Sequence, residues 1–292
     1  MNIKRIFVPI DFSERSQATA RHALLIAKGL GAEPTFAYVV PGTAYSGTDS
    51  EHFYGPRGGV VTGRDLDELY EAKLEKFVAG LGAFAESSRV LLKGDPASEI
   101  VRHAESSGAD LIVIGTHGIG SFRKLLIGSV TAKVLHDCNL PVFTGAHLEQ
   151  APSAPASYRH IACAIDLDDE GEQTMRWAWD LAQALGARFS VIYASTQVTF
   201  GPELSSEIRR EWHASAVAAS RRQIDELLTK SGLSADCHVA EGHPVHYTIQ
   251  AAAEIDADLL VIGRGGASSI PSRLPSHAYG IIRESQCPVI SI

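Results

Sequence analysis

The sequence predicts two tandem α/β domains, each built on a doubly wound, five-stranded parallel sheet. Three observations lead there. The chain has 292 residues, and at about 150 residues per domain that is two domains rather than one. It also repeats itself. Arg5-Ile6-Phe7-Val8-Pro9-Ile10-Asp11 returns as His160-Ile161-Ala162-Cys163-Ala164-Ile165-Asp166, Leu30-Gly31-Ala32 as Leu185-Gly186-Ala187, and Ala109-Asp110-Leu111 as Ala257-Asp258-Leu259. Leu140-Pro141-Val142 matches Cys287-Pro288-Val289, so the offset falls from 155 to 148 to 147 and the second copy is shorter between its second and third strands. Within each copy, finally, short apolar β-branched runs alternate with longer helical patterns, the signature of β-α-β units with crossover helices on both faces of the sheet.

The elements of the first copy follow in order. Residues 5–10 form an unbroken apolar strand, and a helix over 14–30 starts at Ser13, whose hydroxyl suits an N-cap. A strand at 35–40, a helix at 66–84 and a strand at 89–92 come next. Pro96 fits the first turn of a helix over 97–107. A strand at 111–114, a helix from 129 and a strand at 142–144 complete the set. The segment 41–64, rich in Gly and without periodicity, reads as a long loop on the rim that folds over a bound ligand or a partner. In the second copy, Asp169 with Glu172 three residues on reads as a capping box. Gly145 to Arg159 carries two Pro, two Ser and four Ala without periodicity. The domains are therefore set at 1–148 and 159–292, joined by a linker at 149–158.

Composition narrows the function. The chain is 45% hydrophobic and 21% charged, with a formal charge of -8. No excess of cations is present to neutralise a phosphodiester backbone or an anionic membrane, so neither nucleic acid nor membrane is an expected partner. Cys138, Cys163, Cys237 and Cys287 form no closely spaced pair, which argues against structural zinc or a redox dithiol and for a reducing compartment, the cytoplasm. No metal-ligand pattern emerges from the histidines: His243 and His246 beside Pro244 are too few without distant partners.

The chemistry concentrates after the fourth strand of copy one. Ile114 leads into Gly115-Thr116-His117-Gly118, followed after nine residues by Gly128-Ser129-Val130-Thr131. Gly115 and Gly118 allow a sharp turn that brings backbone N–H groups close to an anion. Gly128-Ser129 opens a helix whose first amides have no partner within the helix and point the same way. Such a loop, leaving a strand and returning onto a helix N-terminus, is a phosphate cradle, without the Gly-Lys-Ser/Thr of a Walker loop. Arg123 and Lys124 in the intervening stretch suit the terminal phosphate.

Together with Val8-Pro9-Ile10-Asp11-Phe12-Ser13 and Gly94-Asp95-Pro96, this Gly-x2-Gly-x9-Gly-Ser arrangement resembles the nucleotide-binding signature of the universal stress protein family, over both halves of the chain. The resemblance implies a Rossmann-like fold of the adenine nucleotide alpha hydrolase type and an ATP site in copy one, the ATP accompanied by Mg or Mn. Pro9, Ile10 and Asp11 then line the adenosine end, and Val39 packs on the base. Ile114, Gly115, His117, Gly118, Gly128, Ser129, Val130 and Thr131 surround ribose and phosphates, with Ser129 and Thr131 able to donate to phosphate oxygens. It also implies pairing of the final strands, 142–144 and 289–292, into a pseudo-dimer within the chain, and leaves room for a homodimer and a protein partner.

Copy two keeps Asp166 and Gly263-Arg264-Gly265-Gly266 but has Pro275 opposite Gly128, Ser276 opposite Ser129 and Ala194 in place of Val39. Pro275 removes an amide donor, so nucleotide affinity is expected to be weaker or absent there. No nucleophile, base and orienting partner can be assembled from adjacent motifs. The leading expectation is therefore a nucleotide-dependent regulatory module in stress tolerance, with no catalytic residues assigned. A slow ATPase or phosphotransferase on the same fold, and a scaffold that binds no nucleotide, are the alternatives.

Overall fold

A computed structural model describes residues 3–42, 52–54, 60–82, 87–116, 127–145, 157–195, 205–264 and 276–292. It divides into two compact units, Asn2–Ala154 and Pro155–Ile292.

The first unit runs β1 (Arg5–Pro9), α1 (Glu14–Leu30), β2 (Glu33–Pro41), β3 (His52–Tyr54), β4 (Val60–Thr62), α2 (Gly63–Ala79), β5 (Ser88–Gly94), α3 (Pro96–Ser106), β6 (Leu111–Gly115), α4 (Ser129–Asp137) and β7 (Val142–Gly145). Its parallel sheet is ordered β7-β6-β1-β2-β5. Strand order therefore reverses between β1 and β6, where the chain leaves in opposite directions and a crevice opens outside the strands' carboxyl ends. The expected long loop at 41–64 contains an antiparallel hairpin, β3 with β4. Val60, Val61 and Thr62 are β-branched, and Phe53 and Tyr54 are aromatic, so both short runs have the composition of strands. The rest of that segment, 43–51 and 55–59, lies outside the described residues, as do the expected ligand-covering role and most of the linker.

The second unit repeats the plan with β8 (His160–Ala164), α5 (Asp169–Leu185), β9 (Arg188–Ser195), α6 (Ser206–Ser231), β10 (Asp236–Glu241), α7 (Pro244–Glu254), β11 (Leu259–Ile262), α8 (Ser276–Glu284) and β12 (Val289–Ser291). Its order is β10-β9-β8-β11-β12, again all parallel.

The repeated motifs have physical causes. Leu30-Gly31-Ala32 and Leu185-Gly186-Ala187 end α1 and α5, with Gly31 at φ +62° and Gly186 at φ +66°, the left-handed C-cap that glycine adopts without a Cβ penalty. The repeated Ala-Asp-Leu places Asp110 where its Oδ2 accepts from the Lys4 and Arg5 amides at 2.7 and 2.9 Å. Asp258 accepts likewise from Arg159 and His160. Each carboxylate pins the start of its unit's first strand beside the fourth.

Helix starts follow the expected chemistry with one shift. Ser13 caps α1, accepting from the Ser16 amide, and Asp95 caps α3 with Pro96 in its first turn. The α5 cap is Asp168, which accepts from the Gly171 amide at 2.7 Å, one residue before the expected Asp169. Glu172 does not close a box with it but bonds Lys230 of α6 at 3.1 Å. With two adjacent aspartates, the register of the helix decides which one caps.

The central strands are buried on both faces: β1 is exposed only at Arg5, and Phe7, Phe36, Phe143, Leu111 and Ile112 are fully enclosed, each contributing about 1.5–3 kcal/mol relative to exposure. His22 of α1 is enclosed with them, 4% exposed, its ring 5.7 Å from that of Phe143. Burial drives its pKa down to about 4.

His22 therefore stays neutral in the folded chain while the unfolded chain protonates it, so its contribution to stability is complete above pH 6.5 and is lost as pH falls toward 4. Urea denaturation is expected to show a loss of about 2 kcal/mol between pH 7 and pH 5 assignable to this residue. His22→Phe should flatten that part of the pH profile.

Candidate functional site

The crevice at the reversal point holds a cavity of about 420 Å³, a volume typical of small-molecule sites. β1 supplies Pro9 and Ile10 at its end, with Asp11 just beyond, while β2 supplies Tyr38, Val39 and Pro41. β6 supplies Ile114 and Gly115, and the start of α4 supplies Gly128, Ser129, Val130 and Thr131. These include every site residue expected from the sequence except His117 and Gly118, which lie outside the described residues, as do Arg123 and Lys124. Ser16, Tyr38, Pro41, Pro96 and Ile100 were not expected and complete the walls.

Asp11 is fixed by a knot of short-range bonds. Its Oδ1 accepts from the Ser13 amide at 3.0 Å, from the Ser13 hydroxyl at 2.5 Å and from the Ser16 hydroxyl. Ser16 Oγ in turn accepts from the Asp11 amide at 2.9 Å. The arrangement serves helix and site together, because the same Ser13 Oγ caps α1. With Oδ1 triply engaged, Oδ2 is the acceptor left to face the cavity among the described residues. The spacing Asp-x-Ser-x2-Ser was the available signal for Ser16.

Between Asp11 and Ser13, Phe12 adopts φ +62°, a left-handed conformation that costs a bulky residue about 1–2 kcal/mol and that marks functional sites when the surroundings enforce it. It lays the Phe12 ring 4.4 Å from Tyr38 and 6.0 Å from Phe77. Tyr38 stacks on Tyr70 at 5.0 Å. Burial, then Tyr70 and Asp11, push the Tyr38 phenol up to about 12, so it stays protonated and can donate.

The opposite wall corrects two expectations. Gly115 ends β6 without a left-handed φ, so it does not make the sharp turn expected of it. Thr131 does not offer its proton to a ligand: its hydroxyl donates to the Gly115 carbonyl at 2.6 Å, and the Gly128 amide is spent on the Thr116 carbonyl at 2.6 Å. Together these bonds clasp the start of α4 to the end of β6. What remains directed at the cavity is the first turn of α4, which has no side-chain cap. The amides of Ser129, Val130 and Thr131 stand at its positive end.

A model of the universal stress protein family matches residues 2–144 and again 157–292. The chain belongs to the universal stress protein family. A universal stress protein of Methanocaldococcus jannaschii is 34% identical over 139 residues, 48% of this chain and 79% of its own. Universal stress protein YxiE of Bacillus subtilis is 33% identical over 148 residues, 47% of this chain and 95% of its own. Among solved structures, a universal stress protein from Archaeoglobus fulgidus superposes with a TM-score of 0.71 at 23% identity, covering 100% of this chain and 98% of that one. That likeness is one of fold.

The two copies of the family fold differ at the site. Beside Asp166 and Gly263 in the second unit, the described residues line a cavity of about 40 Å³. Gly171 takes the place of Ser16, and a Cβ there would fall 1.8 Å from the Asp166 carbonyl oxygen. The start of α5 thus presses on the backbone where the first unit keeps a hydroxyl. Burial, then Asp168, raise the Asp166 carboxyl above the ordinary range. Pro275, expected to remove an amide donor there, lies outside the described residues.

The clasp predicts a stability signature. Thr131→Val leaves the Gly115 carbonyl without its donor and should cost about 1–3 kcal/mol in urea denaturation, whereas Thr131→Ser keeps the hydroxyl and should recover most of it.

Proposed function

We propose that the first unit of this universal stress protein binds one adenine nucleotide, ATP with Mg or Mn, and that occupancy rather than turnover is its working signal in a stress response. The observation that carries this reading is the cavity of about 420 Å³ with a positioned carboxylate, Asp11, on one wall and the uncapped first turn of α4 on the other. A nucleotide needs that polarity: hydroxyl and amino donors at the adenosine end, anionic oxygens at the tail. Ile10, Val39, Ile100 and Ile114 give the apolar surface a base requires. The phosphate tail takes the Ser129, Val130 and Thr131 amides, with Ser129 the hydroxyl donor, His117 and Gly118 closing the loop above it, and Thr131 acting through its clasp. The metal travels on the phosphates, since no group of three ligating side chains is gathered among the described residues.

The second unit, where the described residues beside Asp166 line about 40 Å³, binds nucleotide more weakly or not at all. Four free cysteines, three of them buried, support a reducing, cytoplasmic setting. No helix among the described residues is long and apolar enough to cross a membrane.

Titration calorimetry of the full chain with ATP and magnesium should give one site. Asp11→Ala removes an acceptor held for the nucleoside and should weaken binding about 10–100-fold. Val39→Trp fills the cavity without touching the Asp11 knot and should abolish binding, and Asp166→Ala should leave it unchanged. Absence of binding by the native chain, or equal losses in Asp11→Ala and Asp166→Ala, would overturn the reading. Nucleotide recovered intact after incubation supports a binding module, and steady release of ADP points to the hydrolase instead.

A further inference from the structure

Two helix starts meet beside the cavity of the first unit. Asp95, the N-cap of α3, accepts at Oδ1 from the Lys133 ammonium of α4 at 2.9 Å and from the Ser98 hydroxyl at 2.5 Å. Ser98 Oγ also accepts from Lys133 at 3.1 Å. This charged clamp holds the Asp95 carboxyl far below the ordinary carboxylate range, through Ser98 first and then Lys133. The Lys133 side chain is 48% exposed and that of Asp95 58%. An ion pair so open to water is weak, and its ammonium is readily shared.

The clamp stands at the edge of the cavity. Pro96, next to Asp95, and Ile100, one turn on, line one wall, and Ser129, one turn before Lys133, lines another. Helical side chains lean toward the N-terminus of their helix, so Lys133 leans back along α4 toward the first turn, whose amides face the cavity. The described residues lining the cavity include no Lys or Arg, and the charged side chain among them is the carboxylate of Asp11. A polyanionic tail there meets the partial positive charge of a helix end, and a full positive charge has to come from the rim.

The second unit lacks the device. At the offsets of the repeat it has His243 for Asp95, His246 for Ser98, Gly280 for Lys133 and His277 for Val130. His243 occupies the N-cap of α7 without a side-chain cap bond, and its ring centroid lies 5.1 Å from that of His246 and 5.7 Å from that of His277. Three exposed imidazoles thus stand where the first unit has its clamp. The ammonium is missing from the unit where the described residues line the smaller cavity.

We propose that Lys133 reads the length of the phosphate tail: its ammonium bridges Asp95 and the outer phosphates of a nucleoside triphosphate, so that the first unit favours ATP over AMP. The proposal rests on the nucleotide reading of that unit and extends it to the number of phosphates. An ammonium has three donors. Two go to Asp95 and Ser98, and the third is left for a phosphate oxygen without breaking the clamp. The first-turn amides of α4 take the inner phosphate, and the outer ones come within reach of the flexible four-carbon stem of Lys133. Asp95 acts both ways: it anchors the ammonium at the rim and, as an anion, competes with the tail for it.

Titration calorimetry of the full chain at low ionic strength with magnesium, comparing ATP with AMP, tests this. Lys133→Ala should weaken ATP binding about tenfold and AMP binding less than about twofold, while Lys133→Arg, which keeps the charge, should retain most of the ATP affinity. Asp95→Asn keeps an N-cap residue on α3 and removes the competing charge, so it should tighten ATP binding about threefold. A clamp that served only to join the helices would be broken by either variant, and both would then weaken ATP and AMP alike. Equal losses for the two nucleotides in Lys133→Ala, unchanged ATP affinity there, or ATP affinity falling in both Lys133→Ala and Asp95→Asn would overturn the role of Lys133 and leave an adenine nucleotide in the cavity. A native chain that binds neither nucleotide would overturn this proposal together with the reading beneath it.

Discussion

Everything at the candidate site depends on the reversal of strand order between β1 and β6. A parallel sheet whose connections are right-handed sends its crossovers to opposite faces on either side of that point. The loops after the two central strands therefore diverge and cannot fill the space between them. Asp11, Phe12 and the start of α1 lie on one side, and Gly115 and the start of α4 on the other. The cavity is a consequence of winding, and side chains only decide what it holds.

In the first unit they hold it open by local bonding. Ser13 and Ser16 secure Asp11, the Ser13 hydroxyl also caps α1, and Thr131 and Gly128 tie α4 to β6. These bonds use polar groups that would otherwise face the ligand, and in return the remaining donors and acceptors stand in fixed positions before any ligand arrives. The left-handed backbone of Phe12, costly by itself, is enforced between two such fixed residues and aims its ring at Tyr38.

The second unit shows how the same winding serves another end. It keeps the strand order, the left-handed C-cap and the aspartate pin of β8, yet Gly171 lets α5 settle onto Asp166, where the described residues line about 40 Å³ against about 420 Å³ in the first unit. At the neighbouring helix starts a charged clamp of carboxylate, hydroxyl and ammonium gives way to three imidazoles. Frame and rim are thus decoupled. Residues that close strands and helices are shared by the copies, while residues facing the crevice are free to diverge.

Much of this is legible in the chain itself. Alternation of buried strands with amphipathic helices, the Gly31 and Gly186 caps, and the aspartates at 110 and 258 act over a few residues or through a repeated pattern, so the sequence determines the order of the sheet strands and their helices, parallel winding and the location of the rim, though not the β3–β4 hairpin. Pro9 to Asp11, Val39, Ile114, Gly115 and Gly128 to Thr131 were readable for the same reason, since they sit at strand ends and a helix start, whereas Ser16, Tyr38, Pro41, Pro96 and Ile100 were not. Tertiary structure alone decided which polar groups are spent internally. Whether Thr131 donates to a ligand or to Gly115, whether Asp168 or its neighbour caps α5, and whether Phe12 or a glycine carries the strained backbone all depend on distances across the fold. The meeting of His277 with His243 is of the same kind. Helix packing brings together side chains more than thirty residues apart, and no local spacing encodes that contact.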